Sequence, residues 1–105
     1  MKIAITSTQN IPESTFDLRF GRASYFCIYN TENNSVEFID NENINANSGA
    51  GIKAAEKVIE LGVSRVISGD FGPKAKDLLD KFKIQMVMLD DDSQTISSII
   101  KQLNK

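Results

Sequence analysis

The stretch from Ser48 to Ala75 constrains the fold more than any other part of the chain. It reads SGAGIKAAEKVIELGVSRVISGDFGPKA, in which glycine-rich breaks alternate with an amphipathic helical pattern and a short β-branched run. Gly62 stands where the C′ glycine of a helix belongs, and the strand pattern of Val63–Ser68 follows it directly. Pro73 suits the first position of the next helix. This succession of helix, strand and helix predicts an α/β domain.

Both glycine-rich breaks, Ser48–Gly51 and Gly69–Pro73, lead into a predicted helix N-terminus. Free backbone N–H groups and the positive end of the helix dipole meet there, and both favour an anion. Ordinary helix caps in an α/β domain account for the same glycines. The spacing alone leaves both interpretations open.

The rest of the chain completes the order β-β-β-α-β-α-β-α. The predicted strands are Lys2–Thr6, Ser24–Asn30, Ser35–Asp40, Val63–Ser68 and Ile84–Leu89. A turn over Thr31–Asn34 makes a hairpin of the second and third strands, whereas the later strands return through helices and run parallel to the first. We therefore expect one domain over residues 1–105, with a mixed five-stranded sheet whose edges are the third and fifth strands. The predicted buried core is Ile3, Ile5, Val58, Val66, Leu79, Val87 and Ile100.

Three polar segments connect these elements. Ser7–Arg19 is long for a compact domain, and loops of that length tend to be mobile or functional. Asp40–Asn47 is rich in asparagine, which suits turns. Asp90–Ser93 reads as a turn that also caps the closing helix, since acids are favourable at a helix N-terminus.

Composition excludes several kinds of chemistry. The 105 residues carry a net charge of −2, so no basic excess indicates nucleic acid, and no apolar run reaches the length of a membrane span. The chain has no histidine, which removes histidine-based acid–base catalysis, nucleophilic dyads and metal ligands. A single cysteine, Cys27, excludes an internal disulfide and a multi-cysteine metal cage within one chain. A cytoplasmic location is the expectation.

Four side chains could carry chemistry, and each also has an ordinary structural explanation. Arg22 could hold an anion with both arms of its guanidinium, or pair with a nearby surface acid. Asp70 follows a strand end, where α/β ligands bind, or caps the helix that begins at Pro73. Lys74 lies in the first turn of that helix, where the dipole disfavours a cation unless an anion is near. Cys27 is a thiolate ligand or, as its mid-strand position favours, a small buried hydrophobe.

Three motifs together resemble the dinitrogenase iron–molybdenum cofactor biosynthesis family. They are Phe20-Gly21-Arg22-Ala23 followed by Tyr25-Phe26, Gly49-Ala50-Gly51-Ile52 with Ala54-Ala55, and Gly69-Asp70-Phe71-Gly72-Pro73-Lys74-Ala75. The resemblance covers nearly the whole chain. It implies an RNase H-like, three-layer α/β fold in which the motif loops gather at one end of the sheet.

The resemblance also implies a non-catalytic carrier that transiently binds an anionic iron–molybdenum or other iron–sulfur-type cluster. Its partners would be cofactor-assembly proteins, with no nucleic acid or membrane, and the chain would be a monomer or a weak homodimer. The implied cofactor-binding residues are Arg19, Phe20, Gly21, Arg22, Ser48, Gly49, Gly51, Gly69, Asp70, Gly72 and Lys74. Cys27 is the candidate metal ligand.

The chain departs from the family pattern at two positions. Members often carry a histidine just before Phe-Gly-Arg and another just before Gly-Ala-Gly, and here Arg19 and Ser48 occupy those places.

Two rival functions stay open. One is a protein-interaction module without a metal ligand of its own. The other is a nuclease, which the first strand disfavours because Lys2–Thr6 supplies none of the carboxylates that a two-metal site needs.

Overall fold

Eight regular elements follow one another in the computed structural model, which describes residues 1–42 and 48–104. They are β1 (Lys2–Ser7), β2 (Tyr25–Asn30), β3 (Ser35–Asp40), α1 (Ala50–Glu60), β4 (Arg65–Ser68), α2 (Pro73–Lys81), β5 (Gln85–Met88) and α3 (Ile96–Leu103). The predicted loop over Asp40–Asn47 falls largely on residues 43–47, which lie outside the described residues.

The strands form one sheet in the order β3-β2-β1-β4-β5. β2 pairs antiparallel with both β1 and β3, whereas β4 pairs parallel with both β1 and β5. The mixed α/β domain predicted from the sequence is confirmed, with five strands and three helices in the described residues. β3 and β5 form the two edges of the sheet, as expected from their connections.

Two hydrophobic clusters cover the two faces of the sheet. The α1/α2 cluster packs Ala54, Val58 and Leu79 of the helices against Ala4 and Val66 of the strands. The α3 cluster packs its helix against the other face. Its fully or nearly fully buried members are Ile3, Ile5, Phe16, Cys27, Tyr29, Ile67, Ile96 and Ile99. Because β1 lies at the centre and alternates its side chains between the faces, it contributes to both clusters.

Two of the seven predicted core positions are less buried than expected. Val87 and Ile100 are half-buried, because β5 is an edge strand and α3 covers it only in part. The other five positions are at most 1 % exposed.

The segment after β1 is packed and not a free polar loop. Phe16 is 1 % exposed, and its backbone N–H donates to the Gln94 carbonyl at 2.8 Å. The first turn of α3 is held by the same segment, since Ile96 N–H donates to the Ser14 carbonyl at 2.9 Å.

The predicted capping role of Asp90–Ser93 is wrong. Thr95 is the N-cap of α3 and accepts a hydrogen bond from Ser98 N–H, because the acids complete their turn before the helix begins.

α1 and α2 end in the same way. Gly62 follows α1 at φ +78°, and its N–H donates to Ile59, as expected of a C′ glycine. Lys83 follows α2 in the same left-handed conformation, at φ +59°, and its N–H donates to Asp80. The second helix thus uses a lysine where the first uses glycine.

Candidate functional site

The carboxyl ends of the parallel strands define one edge of the sheet, and the N-termini of α1 and α2 lie at that edge. This follows from the crossover geometry, in which each helix runs antiparallel to the strand it precedes or follows. The 18–24 segment crosses the same edge on its way from β1 to β2. The sequence thus brings all three motifs to one end of the domain.

Gly21 is the contact point between the first motif and α1. A Cβ built on Gly21 would stand 2.8 Å from the Gly51 nitrogen and 3.0 Å from the Ala50 carbonyl carbon. Only a glycine at position 21 allows the segment to lie this close to the first turn of the helix. On its other side, Gly51 approaches the start of α2, where a Cβ at position 51 would be 3.5 Å from the Ala75 Cβ.

The N-termini of α1 and α2 share an unusual feature. Gly49 and Gly72 are their N-caps, so neither helix has a side-chain cap, and neither has an acid in its first turn. α3 differs, because Thr95 caps it and the Ser14 and Pro12 carbonyls accept from its first N–H groups. Two adjacent helix ends are therefore left with backbone donors and positive potential.

A shallow depression of about 260 Å³ lies between these two helix ends. Its lining consists of Gly49, Ala50, Gly51, Ile52, Gly72, Pro73, Lys74 and Ala75. We call it the interhelix depression. Four of the predicted site residues line it, namely Gly49, Gly51, Gly72 and Lys74. Lys74 supplies its formal positive charge and also borders the groove that continues between the helices with Asp77 and Lys81.

Other predicted site residues support this edge from beneath. Phe20 is 1 % exposed and packs against Phe26 and Phe71 with tilted rings, whose centroids are 5.9 and 5.2 Å away. Gly69 is covered by Leu18, whose Cα would be 2.6 Å from a Cβ at position 69. Both can act on a ligand only through the residues they position. Ser48 and Asp70 are exposed and do not line the depression, although Ser48 directly precedes Gly49, and Asp70 does not cap α2.

The two arginines differ in their surroundings. Arg19 is committed to Asp17: its Nε and Nη2 each lie 3.1 Å from a carboxylate oxygen of that residue, which raises the pKa of the guanidinium. It borders a different depression, with Thr8, Thr15 and Asp92. The structure thus separates Arg19 from the interhelix depression. Arg22 is half-buried and immediately follows Gly21.

Cys27 lies away from this edge, in the α3 cluster. It is 0 % exposed, and burial raises the pKa of its thiol to about 12. Since the thiolate is the form that binds metals, this position favours the small-hydrophobe interpretation over the metal-ligand prediction. Within the described part of the chain, no three His, Cys, Asp or Glu side chains are grouped to hold a metal ion.

Sequence reasoning missed the polar residues that hold the edge together. The Asn41 side-chain amide donates to the carbonyls of Gly21 at 3.0 Å and Ala23 at 2.8 Å, and Asn41 is 2 % exposed. The Thr6 hydroxyl lies 2.6 Å from the Asp17 carbonyl and 3.0 Å from the Ser68 hydroxyl. Nothing in the sequence distinguishes Asn41 from the other asparagines of its segment. Thr6 and Ser68 could have been noticed as polar residues closing apolar strands.

The whole length of the chain matches one known protein family. The sequence profile of the family described as dinitrogenase iron-molybdenum cofactor matches residues 1–105. The chain belongs to this family. The resemblance that the three motifs indicated in the sequence is thereby confirmed.

Individual relatives and solved structures resemble the chain over most of its length. An uncharacterised protein of Methanocaldococcus jannaschii is 29 % identical over 99 residues, spanning 87 % of this chain and 80 % of the relative. The apo form of the orange protein from Desulfovibrio gigas superposes with a TM-score of 0.90 at 28 % identity, covering 98 % of this chain and 86 % of that one. A Thermotoga protein provisionally named as a NifB protein gives 0.83 at 28 % identity, with the same coverage. Within the described residues, none of the helices is long and apolar enough to cross a membrane.

Proposed function

We propose that the chain is a non-catalytic carrier for an anionic iron–sulfur-type metallocluster, of the iron–molybdenum kind or a precursor of it, during cofactor assembly. Membership of the dinitrogenase iron-molybdenum cofactor family over the whole chain carries the proposal. The likeness to the apo form of the orange protein supports it, since "apo" implies a group that this relative holds. The cluster is cargo here and not a resident cofactor.

The donors at the interhelix depression fit the outer surface of an anionic cluster. Backbone N–H groups of two uncapped helices and the Lys74 ammonium can hydrogen-bond to sulfide and carboxylate acceptors. They cannot fill coordination positions on a metal, and the buried Cys27 thiol does not reach the edge. We therefore propose that the metal ligands arrive with the cargo, including an external thiol where one is needed.

The remaining expectations stand as part of the same proposal. The RNase H-like description is supported by the strand order β3-β2-β1-β4-β5 with helices on both faces. Cofactor-assembly proteins in the cytoplasm would deliver and accept the cluster. Ser48, Asp70 and Arg22 would border the cargo, whereas Arg19, Phe20, Gly21 and Gly69 would hold the edge in shape.

The test is an anaerobic titration of the protein with a molybdenum–iron–sulfur cluster or its precursor, followed by absorption and equilibrium dialysis. Lys74→Glu should weaken binding roughly tenfold or more, because it reverses the formal charge in the depression. Lys101→Glu is the matched control: it makes the same change of net charge on α3, on the opposite face of the sheet. It should change the dissociation constant less than about twofold.

Three results would change the interpretation. Absence of binding by the wild-type protein would favour the interaction module without a ligand of its own. Equal effects of Lys74→Glu and Lys101→Glu would mean that only net charge matters. Loss of binding in Cys27→Ser, with the fold retained by circular dichroism, would replace the backbone-and-lysine account with a thiolate site. Arg22→Ala tests the contribution of the neighbouring motif.

A further inference from the structure

β5, at one edge of the sheet, has apolar side chains at three of its four positions and no charged residue. Its four residues are Gln85, Met86, Val87 and Met88, and Met88 is 68 % exposed. β5 is the last strand of the sheet and pairs only with β4 within the described residues. An edge strand of this composition is a template for pairing with another chain.

The backbone of β5 shows which groups are available for pairing. Gln85 and Leu89 donate their N–H groups to the carbonyls of Ser64 and Ser68, both at 3.0 Å. Because alternate residues of a strand direct their backbone groups to the same side, Met86 and Met88 direct theirs away from β4. Two residues thus offer two N–H and two C=O groups along the free edge.

The opposite edge of the sheet is built differently. β3 is SVEFID, and both Glu37 and Asp40 are exposed. Charged side chains on an edge strand oppose pairing with another strand, including β3 of a second copy. Of the two edges, only β5 lacks this protection.

A groove beside β5 adds a second observation, which concerns charge. Phe71, Met86 and Met88 line it together with Lys76 and Asp80 of α2. Lys76 and Asp80 are four residues apart, so they lie on one face of the helix, one turn from each other. A two-fold axis perpendicular to the sheet would set α2 antiparallel to its copy on the same face. Lys76 of each copy would then stand opposite Asp80 of the other.

We propose that β5 pairs antiparallel with β5 of a second copy of this chain, forming one continuous sheet of ten strands, five from each copy. With the two-fold axis at Val87, Met86 of one copy faces Met88 of the other. These two pairs exchange four backbone hydrogen bonds. The carboxyl edges of the two copies then point in opposite directions, so both interhelix depressions stay open.

The proposed contact between the two copies is small, so we expect a weak dimer. Four residues and one helix face per copy bury less than a standard interface, so the dissociation constant should be on the order of 100 µM. Sedimentation equilibrium at protein concentrations from roughly 10 µM to 1 mM spans that value. Met88→Lys should weaken the dimer roughly tenfold or more, because it places charge on the edge. The matched control is Val36→Lys on β3, a position 39 % exposed, which should leave association unchanged.

A charge-reversal series identifies the geometry independently of strand composition. Lys76→Asp should weaken the dimer, since it brings acids together across the axis, and Asp80→Lys should do the same with cations. The double variant, Lys76→Asp with Asp80→Lys, should restore wild-type association. A chain that stays monomeric at the highest concentration overturns the proposal. So does a dimer that is unaffected by Met88→Lys, is equally weakened by Val36→Lys, or is not restored by the double variant.

Discussion

Gly21 lies against Gly51 so closely that a methyl group at position 21 would stand 2.8 Å from the Gly51 nitrogen and 2.9 Å from its Cα. The obstruction is backbone and not the end of a flexible side chain. The contact is not symmetrical, because a methyl group at position 51 meets only the Ala75 Cβ, at an ordinary 3.5 Å. The two glycines therefore have different physical reasons for being where they are.

Gly21→Ala should destabilise the fold by about 1–3 kcal/mol, because α1 or the 18–24 segment must move to admit the methyl group. Gly51→Ala should be neutral or should stabilise by up to about 1 kcal/mol, since alanine is the better helix former. Urea unfolding followed by circular dichroism measures both. Equal losses of stability in the two variants would contradict the asymmetry.

Gly72→Asp should raise the stability of the fold and lower its affinity for the proposed cluster. Gly72 has φ −54° and ψ 157°, and a Cβ there meets no atom within 4 Å, so aspartate fits without strain. A carboxylate at this N-cap position should stabilise the fold by about 0.5–1 kcal/mol. It would also occupy the α2 donors that we propose for the anionic cluster, so cluster affinity should fall.

Thermal unfolding measures the expected gain in stability of Gly72→Asp, and the anaerobic titration measures the expected loss of cluster affinity. Gly72→Asn is the uncharged control, which should keep part of the gain in stability and weaken cluster binding less. An aspartate variant that is stabilised and binds the cluster as tightly as the wild type would remove the α2 N-terminus from the proposed site.

The two C′ positions should respond in opposite directions to matched substitutions. Lys83→Gly should stabilise by about 0.5–1 kcal/mol, because glycine adopts the left-handed conformation at φ +59° without the steric cost of a Cβ. Gly62→Ala should destabilise by about 1 kcal/mol for the converse reason, at φ +78°. Denaturant midpoints report both changes, and a loss of stability in Lys83→Gly would show that its side chain contributes more than its backbone costs.

Cys27 should give the fold a dependence on alkaline pH. The pKa of its thiol is raised by burial from 9.0 in the unfolded chain to about 12. Below pH 9 the protonated thiol is present in both states and the contribution is constant. Between pH 9 and about 12 the unfolded state loses the proton first, so the free energy of unfolding should fall by up to about 1.4 kcal/mol per pH unit.

Cys27→Ala isolates this effect from the other groups that titrate in the same range. The difference in unfolding free energy between wild type and variant should be constant to about pH 9 and then shrink. Iodoacetamide should label the native thiol slowly at pH 8, and fully only after denaturation. Rapid native labelling would show that the thiol reaches solvent.

Much of the fold could be predicted from the sequence because its signals are local. Gly62 marks the end of α1 through a left-handed conformation that few other residues adopt, and Pro73 marks the start of α2 because the first helical position needs no N–H; both were placed correctly. The central strands carry continuous apolar runs, which indicate burial on both faces. The predictions failed where burial depends on distant partners, as at Val87 on an edge strand and Phe16 in a segment that reads as polar.

The candidate site was accessible to prediction only in part. Gly49 and Gly72 could be found from their positions before helical patterns, since a helix N-terminus is a local feature. The packing roles of Phe20 and Gly69 depend on Phe71 and Leu18, which sequence spacing does not connect to them. The pairing of Arg19 with Asp17 was missed because an i, i+2 contact in a loop follows no periodic rule.

The hydrogen bonds between the 12–16 segment and the start of α3 join parts of the chain that are about 80 residues apart. Ser97 N–H donates to the Pro12 carbonyl at 2.9 Å, and Phe16 N–H donates to the Gln94 carbonyl at 2.8 Å. During synthesis, one face of the sheet therefore stays uncovered until α3 has been made. That face includes Ile3, Ile5 and Tyr29. A nascent chain paused before Ile96 would present that apolar face to chaperones, and contacts of such long sequence separation make folding slow.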